Sequence, residues 1–150
     1  MPDPAVIIRP ISLEQRSQWE RLWQSYLEFY GTLQSPQETE VTWTRLHAPN
    51  EPMFALGAQT QAGLVGIVHY LFHRSFWTTK DYCYLQDLFV AETARGLGIG
   101  RALIETVAEN ALEAGAGRVY WLTQEDNHTA RALYEKVASR TGFIQYRTLI

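Results

Sequence analysis

The stretch Arg95-Gly96-Leu97-Gly98-Ile99-Gly100 decides the reading of this chain. It lies between a strand-like apolar run, Tyr84 to Val90, and a helix-like run, Ile99 to Ala114, in which Ile99, Leu103, Val107 and Ala111 recur every four residues. The first N–H groups of a helix have no partner within it, and the helix dipole is positive at that end. A glycine-rich turn aims several of these groups at one point, and Gly98 and Gly100 let the backbone approach an anion with no Cβ in the way. The result is a phosphate cradle. It is not a P-loop, because no Gly-Lys-Ser/Thr follows, and it is not the dinucleotide fingerprint, which wants glycine where Arg101 stands. A doubly wound nucleotide binder would carry such a turn after its first strand, whereas here it follows residue 90.

Working outward, Val6 to Arg9 reads as a first strand. Ser12 and Gln15 have capping-box spacing ahead of a helix from about Leu13 to Tyr30. Trp19, Leu22, Trp23, Tyr26, Leu27 and Tyr30 fall on one face of that helix, and Gly31 stops it. Ser35-Pro36 opens a second helix through about Leu46. Met53 to Ala58 and Leu64 to Phe72 read as a hairpin turning at Gln61-Ala62-Gly63. A loop holding Trp77 precedes a long strand, Tyr82 to Val90. After the central helix, Arg118 to Thr123 is strand-like. Asn127 caps a last helix with Ala130, Leu133, Tyr134 and Val137 on its inner stripe, and Phe143 to Tyr146 reads as a closing strand. The order predicts an α/β (α+β) mixed sheet with helices on both faces. The unit of strand, glycine loop, helix and Arg118–Thr123 strand predicts a parallel pair.

A chain of 150 residues is read as one domain, 1–150. A net charge of −3 argues against nucleic acid, which wants a basic face, and suits a cationic partner. Cys83 is the sole cysteine, so there is no intrachain disulfide, and a reducing cytoplasm is expected. The longest apolar run, Leu64 to Phe72, is too short to span a bilayer and contains His69, so no membrane role is expected. His47, His69, His73 and His128 form no metal-ligand pattern.

The order Arg-x-x-Gly-x-Gly resembles the pyrophosphate loop of the GNAT family of acetyl-CoA-dependent N-acetyltransferases. Leu88-Phe89-Val90 precedes the loop at the family's distance, and Asn127-x-x-Ala130-x-x-x-Tyr134 matches its last-helix pattern. From Trp19 to Tyr30 and from Val119 to Tyr134 the chain most closely resembles the yeast histone/polyamine acetyltransferase subfamily, a sister member of which acts on D-amino acids. The likeness runs from about Ile7 to Tyr146. It implies a GNAT fold with a central mixed twisted sheet of about six to seven strands flanked by about four helices. It also implies acetyl-CoA as co-substrate without a metal, a small-molecule amine as acceptor, and a homodimer. The residues it assigns to the cofactor are Leu88, Phe89, Val90, Arg95, Gly96, Leu97, Gly98, Ile99, Gly100, Arg101, Asn127, Ala130 and Tyr134.

Acetyl transfer to an amine needs the pyrophosphate held, the amine neutral, the oxyanion stabilised and the thiolate protonated. Backbone N–H groups of residues 95–100 serve the first, with Arg101 either adding charge or lying solvated on its helix. An alkyl ammonium has a pKa of about 10.4 and must lose a proton before attack. Asp87 is the carboxylate considered first. Polyamine-acetylating relatives carry Glu where Gln86 stands, and Gln accepts no proton. Alternation puts Gln86 and Asp87 on opposite strand faces unless a bulge intervenes, so Asp87 is read as base or as scaffold, with a water chain as the substitute. The family places a main-chain N–H near Phe89 against the thioester oxygen and opens the sheet beside this strand. Tyr134 is the general acid by resemblance, and a core tyrosine by spacing alone.

For the acceptor, Tyr26, Tyr30 and Glu28 on the first long helix, Trp77 and Gln86 make an aromatic, mildly acidic set. The competing readings are transfer to protein lysine or N-terminal amines, for which no docking extension is evident, and a non-catalytic acyl-CoA-binding module.

Overall fold

The computed structural model describes residues 6–150. Strand β1 (Ile7–Pro10) leads into a 3-10 turn and helix α1 (Arg16–Phe29). The turn is closed by the expected capping box, with the Ser12 N–H donating to Gln15 Oε1 at 3.0 Å. Trp19, Leu22, Trp23 and Leu27 form the buried face of α1. Helix α2 (Pro36–His47) begins at a second capping box: Glu38 N–H donates to the Ser35 hydroxyl while Ser35 N–H donates to the Glu38 carboxylate. Strands β2 (Met53–Thr60), β3 (Gly63–His73) and β4 (Tyr82–Val90) follow, then α3 (Ile99–Glu113), β5 (Arg118–Tyr120) and α4 (His128–Val137).

The strands lie in chain order, β1-β2-β3-β4-β5. The first three pairings are antiparallel, and β4–β5 is parallel, as a strand–helix–strand crossover requires. Two apolar layers cover the sheet. On one face α3 packs Ile99, Leu103 and Val107 against Leu56, Val68 and Leu85. On the other, Trp19, Leu22 and Trp43 of α1 and α2 cover Leu64 and Ile67. Gly66 sets the first distance: a Cβ there would lie 3.2 Å from both Ile99 Cγ2 and Leu103 Cδ1. Its bare backbone lets α3, and therefore the glycine loop at its start, sit close on β3.

The mixed α/β class and the four helices match expectation, but the sheet has five strands among the described residues rather than six to seven. The strand expected over Arg118–Thr123 stops at Tyr120, because its neighbour β4 has already diverged and offers no further partner. The closing strand expected at Phe143–Tyr146 does not form. Residues 139–150 carry no helix or strand, and Phe143, Ile144 and Tyr146 stand exposed. Strand-like composition without a paired edge does not make a strand. Cys83 is fully buried in the α3 layer, and burial pushes its thiol up to about 11, which leaves it unreactive. No described helix is long and apolar enough to cross a membrane.

Candidate active site

Gly96 and Gly98 hold φ of +80° and +77°, and Gly98 is the N-cap of α3. This left-handed backbone is cheap only for glycine. The space a Cβ would fill at either position is open. Among the described residues, the N–H groups from Gly96 to Arg101 donate to no carbonyl, and the first such bond of α3 runs from Ala102 N–H to Gly98 O at 3.0 Å. A run of unpaired donors at the positive end of a fifteen-residue helix fits the pyrophosphate of a CoA. Arg95 donates from Nε to Val90 O at 3.1 Å with its guanidinium over the Phe89 ring, tying the loop to the end of β4. Arg101 pairs instead with Glu105 at 2.7 Å on the exposed face of α3, the solvated alternative.

β4 and β5 are joined only from Tyr82–Tyr84 to Arg118–Tyr120. From Leu85 to Val90, β4 has no partner on that side among the described residues, so the sheet is open there beside Leu88, Phe89 and Val90. A slot of this kind accepts an extended chain by main-chain hydrogen bonds.

The divergence begins at a bulge. His69 of β3 pairs with Asp87, but the next residue, Tyr70, pairs with Leu85, so Gln86 is the extra residue. The bulge shifts the side-chain phase of β4. Cys83 and Leu85, then Leu88 and Val90, face the α3 layer, while Asp87 and Phe89 face α1. Asp87 is thereby carried to the floor of a cavity of about 370 Å³ between α1, α2 and the sheet, with Gln86 beside it. Alternation without the bulge would have turned Asp87 into the α3 core.

Asp87 is buried and does not stand alone. Its Oδ2 lies 3.0 Å from His69 Nδ1, and His69 Nε2 lies 2.9 Å from the indole nitrogen of the fully buried Trp19. The Tyr26 phenol faces the same carboxylate; burial first, and then Asp87, push its pKa far up. Tyr30 is also raised, by burial and by Asp87. Trp23 donates to Gln34 Oε1 at 2.8 Å, which pins the α1–α2 loop over the cavity.

Tyr134, half-buried on α4, stands edge-on to Trp121 at 5.5 Å. Burial, with Tyr30 nearby, pushes its phenol up to about 12, so it stays protonated at neutral pH. Tyr30, at the C-cap of α1, is therefore close to Tyr134 across the open edge of the sheet. Asn127 occupies the N-cap position of α4, but contrary to expectation its side chain makes no cap bond: its amide donates to Thr123 Oγ1 at 3.3 Å, holding the β5–α4 connection. Ala130 is half-buried one turn on, where the small side chain leaves room beside the slot.

The structure thus brings Asp87, Tyr26, Tyr30 and Tyr134 together, with Gln86 at the cavity. It leaves out two expected acceptor residues. Glu28 points to solvent because its helix turns the other face inward, and Trp77 is 79% exposed on the β3–β4 loop, away from the cavity. Sequence reasoning missed His69, Gln34 and Glu38, which line the cavity. A polar residue amid the apolar run of β3 was the one available signal for His69. No group of three metal-ligating side chains is gathered among the described residues.

Residues 19–138 match the profile of the Acetyltransferase (GNAT) family. The chain belongs to that family. This acetyltransferase is 36% identical over 149 residues to the D-amino-acid N-acetyltransferase HPA3 of Saccharomyces cerevisiae, an alignment covering 98% of this chain and 92% of that protein. It is 35% identical over 95 residues to the thialysine N-epsilon-acetyltransferase of Sus scrofa, covering 63% of this chain and 51% of that one. Among solved structures, a probable acetyltransferase superposes with a TM-score of 0.84 at 27% identity, over 96% of this chain and 97% of the other. The ribosomal-protein-alanine N-acetyltransferase of Brucella melitensis biovar Abortus 2308 shares the fold, with a TM-score of 0.79 at 24% identity over 97% and 100% of the two chains.

Proposed function

We propose that residues 1–150 form one domain that moves the acetyl group of acetyl-CoA to a primary amine of a small molecule, by direct attack in a ternary complex. The observation that carries this reading is the bulge at Gln86. It turns the Asp87 carboxylate into the cavity on one side of β4 while the slot and the glycine loop open on the other.

Asp87 takes the proton from the acceptor's ammonium. The freed nitrogen lone pair then attacks the thioester carbonyl carbon. A free N–H on the open edge of β4 near Phe89 meets the negative oxygen. As the carbon–sulfur bond breaks, Tyr134 gives its phenolic proton to sulfur and recovers one from the new amide nitrogen. The net products are the acetamide, CoA thiol and one proton, which leaves through Asp87. Burial keeps the Tyr134 phenol protonated at neutral pH, so it holds a proton to give and is no base there.

The charged side chains lining the cavity are Asp87 and Glu38, both acidic, and its walls include Trp23, Leu27, Leu46 and Met53. This favours an alkyl chain carrying more than one ammonium, a polyamine. An amino-acid-like amine is the second reading, favoured by the names of HPA3 and of the L-ornithine N5-acetyltransferase NATA1 of Arabidopsis thaliana, which is 26% identical over 69% of this chain. CoA release with spermidine, a short diamine, ornithine, D-amino acids and a histone-tail peptide tests this. Turnover of a small amine is expected, fastest for the polyamine. Turnover of the peptide alone, or tight acetyl-CoA binding with no turnover, would overturn it.

We further propose a cytoplasmic homodimer. The exposed Phe143, Ile144, Tyr146 and Leu149 and the one-sided pairing of β5 support burial of this segment against a second copy. Light scattering should give twice the chain mass, falling to one on deletion of residues 139–150. A monomeric intact chain would contradict it.

A further inference from the structure

Three residues from three elements form a chain of contacts that ends on Asp87: Trp19 of α1, His69 of β3 and Asp87 of β4. The indole N–H can only donate. His69 Nε2, 2.9 Å from it, must therefore carry a lone pair, and the ring proton must sit on Nδ1, 3.0 Å from Asp87 Oδ2. A doubly protonated ring would set one N–H against another. Trp19 is in no position to yield, because it is fully buried, stacked on Trp23 at 6.1 Å and packed on Trp43 at 5.0 Å.

We infer that His69 is a positioning residue, held by Trp19 as the neutral Nδ1–H tautomer so that it orients the Asp87 carboxylate toward the acceptor cavity without cancelling its charge. The inference rests on the reading of Asp87 as the group that receives the ammonium's proton. An imidazolium in the same place would form an ion pair with Asp87 and compete with the incoming ammonium. A neutral imidazole supplies one hydrogen bond to Oδ2 and leaves the charge, and the remaining lone pairs, to the cavity. The other titratable groups around this carboxylate are the phenols of Tyr26 on α1, Tyr30 at the C-cap of α1 and Tyr84 on its own strand, and the Glu38 carboxylate of α2 across the cavity. No described Lys or Arg lines the cavity beside it. Asp87 therefore keeps its charge uncancelled by any cation lining the cavity, and it is held by the His69 N–H together with the Tyr26 phenol that faces it.

Two measurements test this. The first needs no activity: imidazole nitrogen chemical shifts of the full-length protein at neutral pH. The expected result for His69 is a protonated Nδ1 and a bare Nε2. An Nε2–H tautomer or an imidazolium overturns the inference. The second compares two variants that each keep one end of the contact. His69→Asn places an amide N–H near the Nδ1 position and keeps the bond to Asp87. His69→Gln places a carbonyl near Nε2 and keeps the bond from Trp19. The expected result is that His69→Gln loses up to ~100-fold in kcat with the KM for acetyl-CoA unchanged, whereas His69→Asn recovers most of it. A merely structural histidine would lower both alike, or would lower thermal stability and leave kcat in the folded fraction intact; either result overturns the inference. Wild-type turnover with the wrong tautomer defeats this inference alone. The right tautomer with no turnover of any amine defeats the reading of Asp87, and the positioning role with it.

Discussion

The two sides of β4 are built by different means. On the α3 side, the loop from Arg95 to Gly100 is made of backbone: exposed N–H groups, two positive-φ glycines and a helix end. On the α1 side, the floor of the cavity is made of buried side chains locked to one another, Trp19 to His69 to Asp87. A backbone site tolerates side-chain change and fails when a glycine acquires a Cβ. A side-chain site fails when a single polar atom is replaced. On the proposed reading the cofactor and the acceptor are perturbed separately, and Tyr134, standing beside Tyr30 at the open edge, is where the two would meet.

The sharpest break in that division comes from Asp87→Asn. It keeps the shape but removes the proton acceptor and should lower kcat/KM for the amine by ~100- to 10,000-fold, read in initial rates. Tyr134→Phe follows. Losing a general acid should lower kcat by ~100-fold while the KM for acetyl-CoA stays within about twofold; an unchanged kcat would remove Tyr134 from the chemistry. Gly98→Ala acts on the other side. It forces a Cβ into left-handed backbone at a cost of roughly 1–2 kcal/mol and should weaken CoA binding by calorimetry while leaving acceptor preference unchanged.

The smallest effect is on stability at high pH. Burial holds Cys83 up to about 11 against an ordinary 9.0, and Tyr134 up to about 12 against 10.0. In both, the fold prefers the protonated form. The stability they contribute is complete below the ordinary values and is lost as pH rises through the folded ones. Thermal melting should therefore be level up to about pH 9 and fall between about pH 9 and 12. Cys83→Ala should delay the onset of the fall.

The same division explains what was legible in the sequence. The turn into α3 could be read from Arg95 to Gly100 because glycine at fixed spacing is a local signal, and α3 announced itself by a four-residue repeat. The capping box at Ser12 and the helix start at Ser35-Pro36 were equally local. The acceptor side was not legible, because Asp87 faces the cavity only through a bulge that no alternation pattern encodes. Its partners lie 18 and 68 residues away in sequence, at His69 and Trp19. Glu28 and Trp77 were attractive by residue type and failed by direction, one on the outer face of its helix and the other on an exposed loop. The segment Phe143–Tyr146 has strand composition, but a strand is made by its partner, and β5 ends at Tyr120.

The most direct test of two separable sites on one strand is acetyl-CoA binding by calorimetry, run with acetyl transfer to the best amine, for Asp87→Asn and Gly98→Ala side by side. The account expects Asp87→Asn to bind acetyl-CoA within about twofold of wild type and to lose turnover, and Gly98→Ala to bind it weakly and regain turnover at saturating acetyl-CoA. If Asp87→Asn weakens acetyl-CoA binding as much as it slows transfer, the two sides of β4 are a single site and the account is wrong.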